Sequence, residues 1–415
     1  MSRSYPPAYR CTLSFLLLLP LFLSSLAVSA DDLLSLMTQR LNHMKGVAAY
    51  KWQHKLPIEN LEREDLVLAS AMQQSLRFNL DIASSRYFFE QQINAAKEVQ
   101  RYWFTQWKAY PDTLPVNTAD LNHEIRPALI GLGERISSKL ADQHLNLAPL
   151  EVEGLSKTTA AALIEAAKTV STYPNRLAQI LDSGVLRVGT TGDYAPFSYR
   201  PEQNSTSQDW TGIDIDLAQD LARSLGVKVQ WVPTTWPKLM NDLKKGQYDI
   251  GMSGISISLA RQRSAFFSRP YHRGGKTALA RCADSEKYSS LSAIDKPQTR
   301  LIVNPGGTNQ KFVNSHIHQA NIRVHNDNRS IFNELVKHTA DVTITDQIEV
   351  QLQTARHPEL CAAMKEKTLT FSEKAFLLPQ DTVWKNYVDT WLGMRLGEEY
   401  VQEIIKTQLN TQVGS

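Results

Sequence analysis

The 415-residue chain carries 45 Lys and Arg against 42 Asp and Glu, a formal net charge of +3, with 42% hydrophobic and 21% charged residues. That length allows two or three ordinary domains, and the composition excludes wholesale disorder. Such balance gives no case for nucleic acid or an anionic membrane as partner, but small anionic substrates stay open, because a few buried arginines would not move the totals.

Residues 1–30 begin with Arg3 and Arg10, continue as an apolar run over 13–28, and close on Val28-Ser29-Ala30 ahead of Asp31-Asp32. This three-part form is that of a secretory signal peptide. Pro20 inside the run and the small-residue exit argue against an uncleaved membrane anchor. The expectation is export to the periplasm or beyond, cleavage after Ala30, and a soluble mature protein that works without ATP or NADH. Cys11 leaves with the leader, so Cys282 and Cys361 remain as an even pair in an oxidising compartment, where a disulfide is expected rather than a metal site. No Cys-x-x-Cys or His-Glu-x-x-His spacing occurs, and His43, His54, His123 and His144 are scattered. Neither a metal nor another cofactor is expected.

From residue 31 to about 150 helical periodicity dominates, which predicts an all-α domain. Leu33, Leu36, Met37, Leu41, Met44 and Val47 mark one apolar face. Further helices are predicted over 66–80, 87–107 and 120–147, with a loop at 110–115 marked by Pro111 and Pro115. Residues 151–175 read as a helical linker, with an alanine-rich helix at 158–169. Over 176–415 short β-rich runs alternate with amphipathic helices. Strands are predicted at 185–189, 227–232, 249–252, 300–303 and 342–345, and helices at 213–225, 236–245 and 330–337. The alternation predicts parallel sheets covered on both faces, arranged as two α/β lobes with a ligand cleft between them.

Several charged or amide groups fall where the helical half should bury apolar surface. Arg40 precedes Leu41, Lys51 stands between Tyr50 and Trp52, Arg63 opens the second helix and Gln100 lies on the long one. Arg126 and Arg135 are nine residues apart, which at about 100° per residue puts them on opposite faces of a helix. Taken singly, each is accounted for as a solvated face or a snorkelling stem. Taken together, three arginines can grip two carboxylates, and Lys51 and Gln100 can donate to a developing oxyanion. The set holds no nucleophile or proton shuttle, so it suits a reaction that needs restraint and charge stabilisation. The ordered series Arg40-Leu41, Val47-Ala48-Ala49-Tyr50-Lys51-Trp52, Leu56-Pro57-Ile58-Glu59, Arg63-Glu64 and Phe89 to Gln100 resembles the exported, all-helical chorismate mutases of the AroQ class, gamma subgroup. The resemblance covers about residues 31–170 and implies conversion of chorismate to prephenate in a helical fold that is commonly a dimer. It implies that Arg40, Arg63 and Arg126 hold substrate carboxylates, while Lys51 and Gln100 face the breaking ether oxygen. Val67 and Ala96 stand where relatives often have polar side chains.

In the second half, Arg187 to Tyr199 reads as a strand running into an aromatic loop, Gly212 to Ala218 begins a helix, and Met252-Ser253-Gly254-Ile255-Ser256 precedes Arg261. This order resembles the polar amino-acid class of periplasmic solute-binding proteins, in which residues at the Ser256 and Arg261 positions grip a ligand carboxylate. Thr234-Thr235-Trp236-Pro237, Ile302 to Asn309, Thr345-Asp346-Gln347-Ile348-Glu349, His357 to Cys361 and Glu373-Lys374-Ala375-Phe376 resemble exported cyclohexadienyl dehydratase over about residues 176–415. That resemblance implies loss of water and carbon dioxide from prephenate, and from arogenate. Expelling hydroxide needs one positioned acid. Glu349 is the candidate, with Asp346 near enough to raise its pKa by like-charge coupling, and Glu373 is the weaker rival. Ser253, Gly254, Ser256, Arg261 and Asp346 are expected to bind substrate, Trp236 to stack on the ring, Asn304 to orient polar groups and Thr308 to donate to a carboxylate. The product implied for the first half is the substrate implied for the second. A mutase fused to a receptor that only binds an amino acid is the competing reading, as is a sensory protein whose helical half merely dimerises.

Overall fold

The computed structural model describes residues 32–116, 118–142, 147–201, 210–364 and 368–413, so the expected leader lies outside the described residues. Five helices build the first half: α1 (Leu33–Gln53), α2 (Leu61–Arg77), α3 (Ile82–Ala109), α4 (Arg126–Leu140) and α5 (Lys157–Thr169). Side chains at the N-caps set their starts. Asp32, Asn60, Asp81 and Ser156 accept from the backbone N–H of Ser35, Arg63, Ser84 and Thr159 at 2.7, 2.9, 2.8 and 3.2 Å. The Asn60 cap starts α2 five residues before its apolar pattern does. The predicted 120–147 helix is instead a π-helical turn at Leu121–Ile125 followed by α4, with Pro127 in its first turn. The apolar faces meet in one core that includes Leu36, Met37, Phe88, Trp107, Ile136 and Leu163. Leu163 belongs to α5, so the alanine-rich helix packs onto the helical half rather than bridging away from it.

The second half forms two lobes, each around a five-stranded sheet. In the first lobe the strand order is Lys228–Pro233, Val185–Thr190, Ile250–Gly251, Leu377–Leu378 and Phe266–Phe267. In the second it is Asn321–Val324, Arg300–Val303, Val342–Asp346, Lys276–Arg281 and Leu360–Ala362. The expectation of parallel sheets needs correction, because both sheets are mixed. Three adjacent strands of each pair parallel, whereas Leu377–Leu378 and Lys276–Arg281 pair antiparallel to the neighbours on both sides. The reason is the double crossing of the chain. His272–Gly274 and Ser372–Lys374 pair antiparallel as the hinge between lobes, and the strand that follows each crossing runs against the βα units. Helix Arg176–Ser183, not foreseen from the sequence, starts the first lobe on the cap of Asn175.

Helical half and first lobe touch directly. Gln179 Nε2 donates to the Leu76 carbonyl at 2.6 Å and Arg77 Nε to the Lys245 carbonyl at 3.2 Å. Gly246 (φ +62°) faces Arg77 so closely that a Cβ there would come within 2.2 Å of its carbonyl oxygen. Cys282 and Cys361 are joined by a disulfide in the second lobe, as the compartment argument expects. Among the described residues, no helix is long and apolar enough to cross a membrane.

Candidate active sites

The helical half encloses a cavity of about 280 Å³ whose lining includes Arg40, Lys51, Arg63, Gln100 and Arg126. Arg40 and Lys51 are eleven residues apart on α1, three turns along one face, while α2 supplies Arg63, α3 supplies Gln100 and α4 supplies Arg126. Arg126 rather than Arg135 is in the lining. Arg40 donates to the Leu129 carbonyl at 2.7 Å, and burial pushes its pKa down to about 10, which leaves it cationic at neutral pH. Lys51 donates to the Ile58 carbonyl at 2.8 Å. Its pKa is lowered by burial, with Arg126 adding to the effect and Glu64 opposing it. Arg63 is lowered by burial and then by Arg126. Glu64, also in the lining, is engaged by Lys97 at 3.0 Å. Five cations line the cavity, and since Lys97 is taken by Glu64, its one carboxylate, four are left to face a ligand, an arrangement that suits a small dianion. Gln100 Nε2 donates to the Ala96 carbonyl at 3.0 Å, and its Oε1 has no partner.

Between the lobes the cleft encloses about 20 Å³, room for roughly one water. Trp236, Gly254, Ser256, Arg261, Asn304 and Thr308 all line it, together with Asp346. Trp236 donates to Asp193 at 3.1 Å and stands edge-on to Tyr194, centroids 5.6 Å apart. The Gly254 N–H is taken by Asp214 at 2.7 Å. Arg261 donates to the Ser256 carbonyl at 3.0 Å. Asn304 accepts from Asn309 at 3.2 Å, and Thr308 accepts from Lys276 at 3.2 Å. Ser253 requires a correction: it is not in the lining, being fully buried and bonded to Ser198 at 2.6 Å and Thr191 at 2.7 Å. The residue three places on, Ser256, faces the cleft instead.

Asp346 is the electrostatic centre. Lys374 approaches it at 2.6 Å and Lys276 at 3.4 Å, and the Tyr194 hydroxyl donates to it. Burial pushes its pKa up, but the two ammonium groups outweigh burial and hold it far below the usual carboxylate range. Lys374 also donates to Ser256 Oγ at 3.0 Å. Tyr194, Lys276, Asn309 and Lys374 were missed in the sequence. Lys374 stands inside a quoted motif, Glu373-Lys374-Ala375-Phe376, but nothing local marks it as the partner of Asp346. A second contact between lobes runs from Asn328 Nδ2 to the Asp193 carbonyl at 2.9 Å.

Glu349 lies one layer behind the cleft wall, 2% exposed, in the first turn of helix Gln347–Arg356. It accepts from Thr345 Oγ1, which itself accepts from Asn309 Nδ2 at 3.0 Å. Burial pushes its pKa up to about 8, against the lowering Thr345 bond, and Asp346 adds a smaller increment. Burial, then, and not the neighbouring carboxylate, is the larger cause. Glu373 is outside the cleft lining and pairs with exposed Arg273 at 3.0 Å.

A chain of two lobes hinged by paired strands, preceded by a cation-lined helical cavity, has recognisable relatives. The family model for bacterial extracellular solute-binding proteins, family 3, matches residues 186–407, and that for chorismate mutase type II matches residues 28–101. The chain belongs to the family 3 solute-binding proteins and carries a type II chorismate mutase domain ahead of that fold. It is 48% identical over 244 residues to a cyclohexadienyl dehydratase of Pseudomonas aeruginosa, covering 59% of this chain and 90% of that protein. It is 32% identical over 134 residues to a secreted chorismate mutase of Yersinia pestis, covering 32% of this chain and 71% of the relative. Among solved structures, an ancestral amino acid-binding protein described as a precursor of cyclohexadienyl dehydratase superposes with a TM-score of 0.51 at 31% identity, over 57% of this chain and 99% of that one.

Proposed function

We propose that the protein is an exported bifunctional enzyme that converts chorismate to prephenate in the helical half, and prephenate or arogenate to phenylpyruvate or phenylalanine in the two-lobed half. In the first step Arg40, Arg63 and Arg126 hold the two carboxylates in the folded conformer, and Lys51 and Gln100 stabilise charge on the ether oxygen as its bond breaks. The second step consumes a proton: Glu349 gives it to the ring hydroxyl, water and carbon dioxide depart, and the ring becomes aromatic. Arg261 and Ser256 hold a carboxylate while Trp236 packs on the ring.

The observation that carries this reading is the buried Glu349 carboxyl, joined through Thr345 to Asn309 of the cleft wall and with its pKa pushed up to about 8 by burial, next to an Asp346 that two ammonium groups hold far below the usual carboxylate range. The receptor alternative asks Asp346 to hold an ammonium, and Asp346 is already taken by Lys276 and Lys374. Adding chorismate to the purified protein tests the proposal, with prephenate and then phenylpyruvate as the expected products. Recovery of chorismate unchanged rejects the first step, and accumulation of prephenate rejects the second. The same reading includes leader cleavage after Ala30, a mutase domain over 31–150 and a homodimer through it. N-terminal sequencing and light scattering of the secreted protein test the cleavage and the dimer.

A further inference from the structure

Ser70, Gln74 and Gln92 line the mutase cavity without a task in the foregoing chemistry, and Gln92 alone of the three is buried. Gln92 lines the cavity from α3 and is 2% exposed. Neither its Nε2 nor its Oε1 has a hydrogen-bond partner. Ser75, Ser85 and Ser137 Oγ lack partners too but do not line the cavity, and Gln100, which does, lacks one only at Oε1. A buried amide with both ends unpaired destabilises the fold, and such a group persists where something outside the fold completes it.

Position narrows what that partner is. Gln92, Ala96 and Gln100 follow at four-residue spacing on one face of α3 and all line the cavity. Val67 and Ala96 give that wall no hydrogen-bonding side chain, and Lys97 is engaged by Glu59 and Glu64, so the amides at 92 and 100 are the polar groups α3 has left to offer. The arginines and Lys51 are donors only and match carboxylates and an ether oxygen. A dicarboxylate that carries a ring alcohol has one further polar group, which both donates and accepts. An amide is its complement, and the Glu64 carboxylate is engaged by Lys97 at 3.0 Å.

We infer that Gln92 binds the ring hydroxyl of the mutase substrate, its Oε1 accepting the hydroxyl proton and its Nε2 donating to the hydroxyl oxygen. This rests on the chorismate mutase reading and assigns Gln92 to substrate recognition, leaving the bond-breaking groups as described.

The test uses the full-length protein and its near-isosteric variant Gln92→Met. Expected is a fall of about tenfold in kcat/KM for chorismate, carried mainly by KM, with prephenate dehydration unchanged. The melting temperature of the variant should stay level or rise by a few degrees, because an unpaired buried amide has been removed. A chorismate analogue lacking the ring hydroxyl should lose the same factor with wild type and nothing further with Gln92→Met. Unaltered kcat/KM overturns the inference, and so does a lowered melting temperature in step with lost activity, which marks Gln92 as a packing residue. Independent losses from variant and analogue also overturn it. A wild-type protein that leaves chorismate untouched instead rejects the mutase reading itself.

Discussion

Lys374 Nζ lies 2.6 Å from Asp346 Oδ2, so the last residue of the returning hinge strand is fastened to the end of a central strand in the second lobe. Both side chains are at most 5% exposed. Removing one partner leaves a buried charge short of compensation, because Lys276 is farther off, at 3.4 Å. Lys374→Met is expected to destabilise the two-lobed half by about 3 kcal/mol and to abolish dehydration, while mutase activity stays intact. Separate assays with chorismate and prephenate, together with a thermal melt, check it.

Glu349→Gln should lower the rate of phenylpyruvate formation by about 10²-fold or more and leave prephenate production at the wild-type level. In the wild type the acid form is needed, so the dehydratase rate should decline as pH rises through about 8. Stability follows the same group. A carboxyl raised from 4.5 to about 8 binds its proton more tightly in the folded state, so its contribution is fully present below pH 4.5 and lost as pH climbs through about 8. Glu349→Gln should flatten that part of the stability profile, as read by denaturant titrations at several pH values.

On the mutase side, Lys51→Ala should reduce kcat by about 10²–10³-fold, the usual consequence of losing a donor to a developing oxyanion. Arg126→Ala should raise KM for chorismate strongly and Arg135→Ala should do so little, since only Arg126 lines the cavity. Steady-state kinetics on the three variants distinguish these outcomes.

The bond between Cys282 and Cys361 spans 79 residues of sequence. Closing a loop of that length restricts the unfolded chain, and its removal should cost roughly 4 kcal/mol at most. Cys282→Ser should lower the melting temperature of the two-lobed half. Thiol titration of the mature protein should find no free thiol before reduction and two after it.

Much of this organisation was legible because two periodicities are cleanly separated along the chain. The apolar face from Leu33 to Val47 gave α1, and cations set against that face marked Arg40 and Lys51 as residues with another purpose. α2 was read short at its start, since Leu61 and Leu66 are exposed and only the Asn60 cap marks the first turn. Lys276–Arg281, a Lys-Thr-Ala-Leu-Ala-Arg run with one β-branched residue, offers no strand signal, yet all six residues are buried. The two lysines that govern Asp346 sit 70 and 28 residues from it, and no local pattern joins them. Ser253 was named from a short run resembling a family motif, and such a run does not show the tight turn at which Gly254 takes φ +61° and the chain brings Ser256 to the cleft.

The one-water volume between the lobes has a kinetic meaning. A ten-carbon anion needs the lobes apart, which means that Tyr194 lets go of Asp346, Asn328 of the Asp193 carbonyl and, at the rim, Arg329 of the Arg200 carbonyl. Capture is thus throttled by how often those clasps release, and weakening either of the two inner ones should quicken uptake while shortening the residence of whatever is caught.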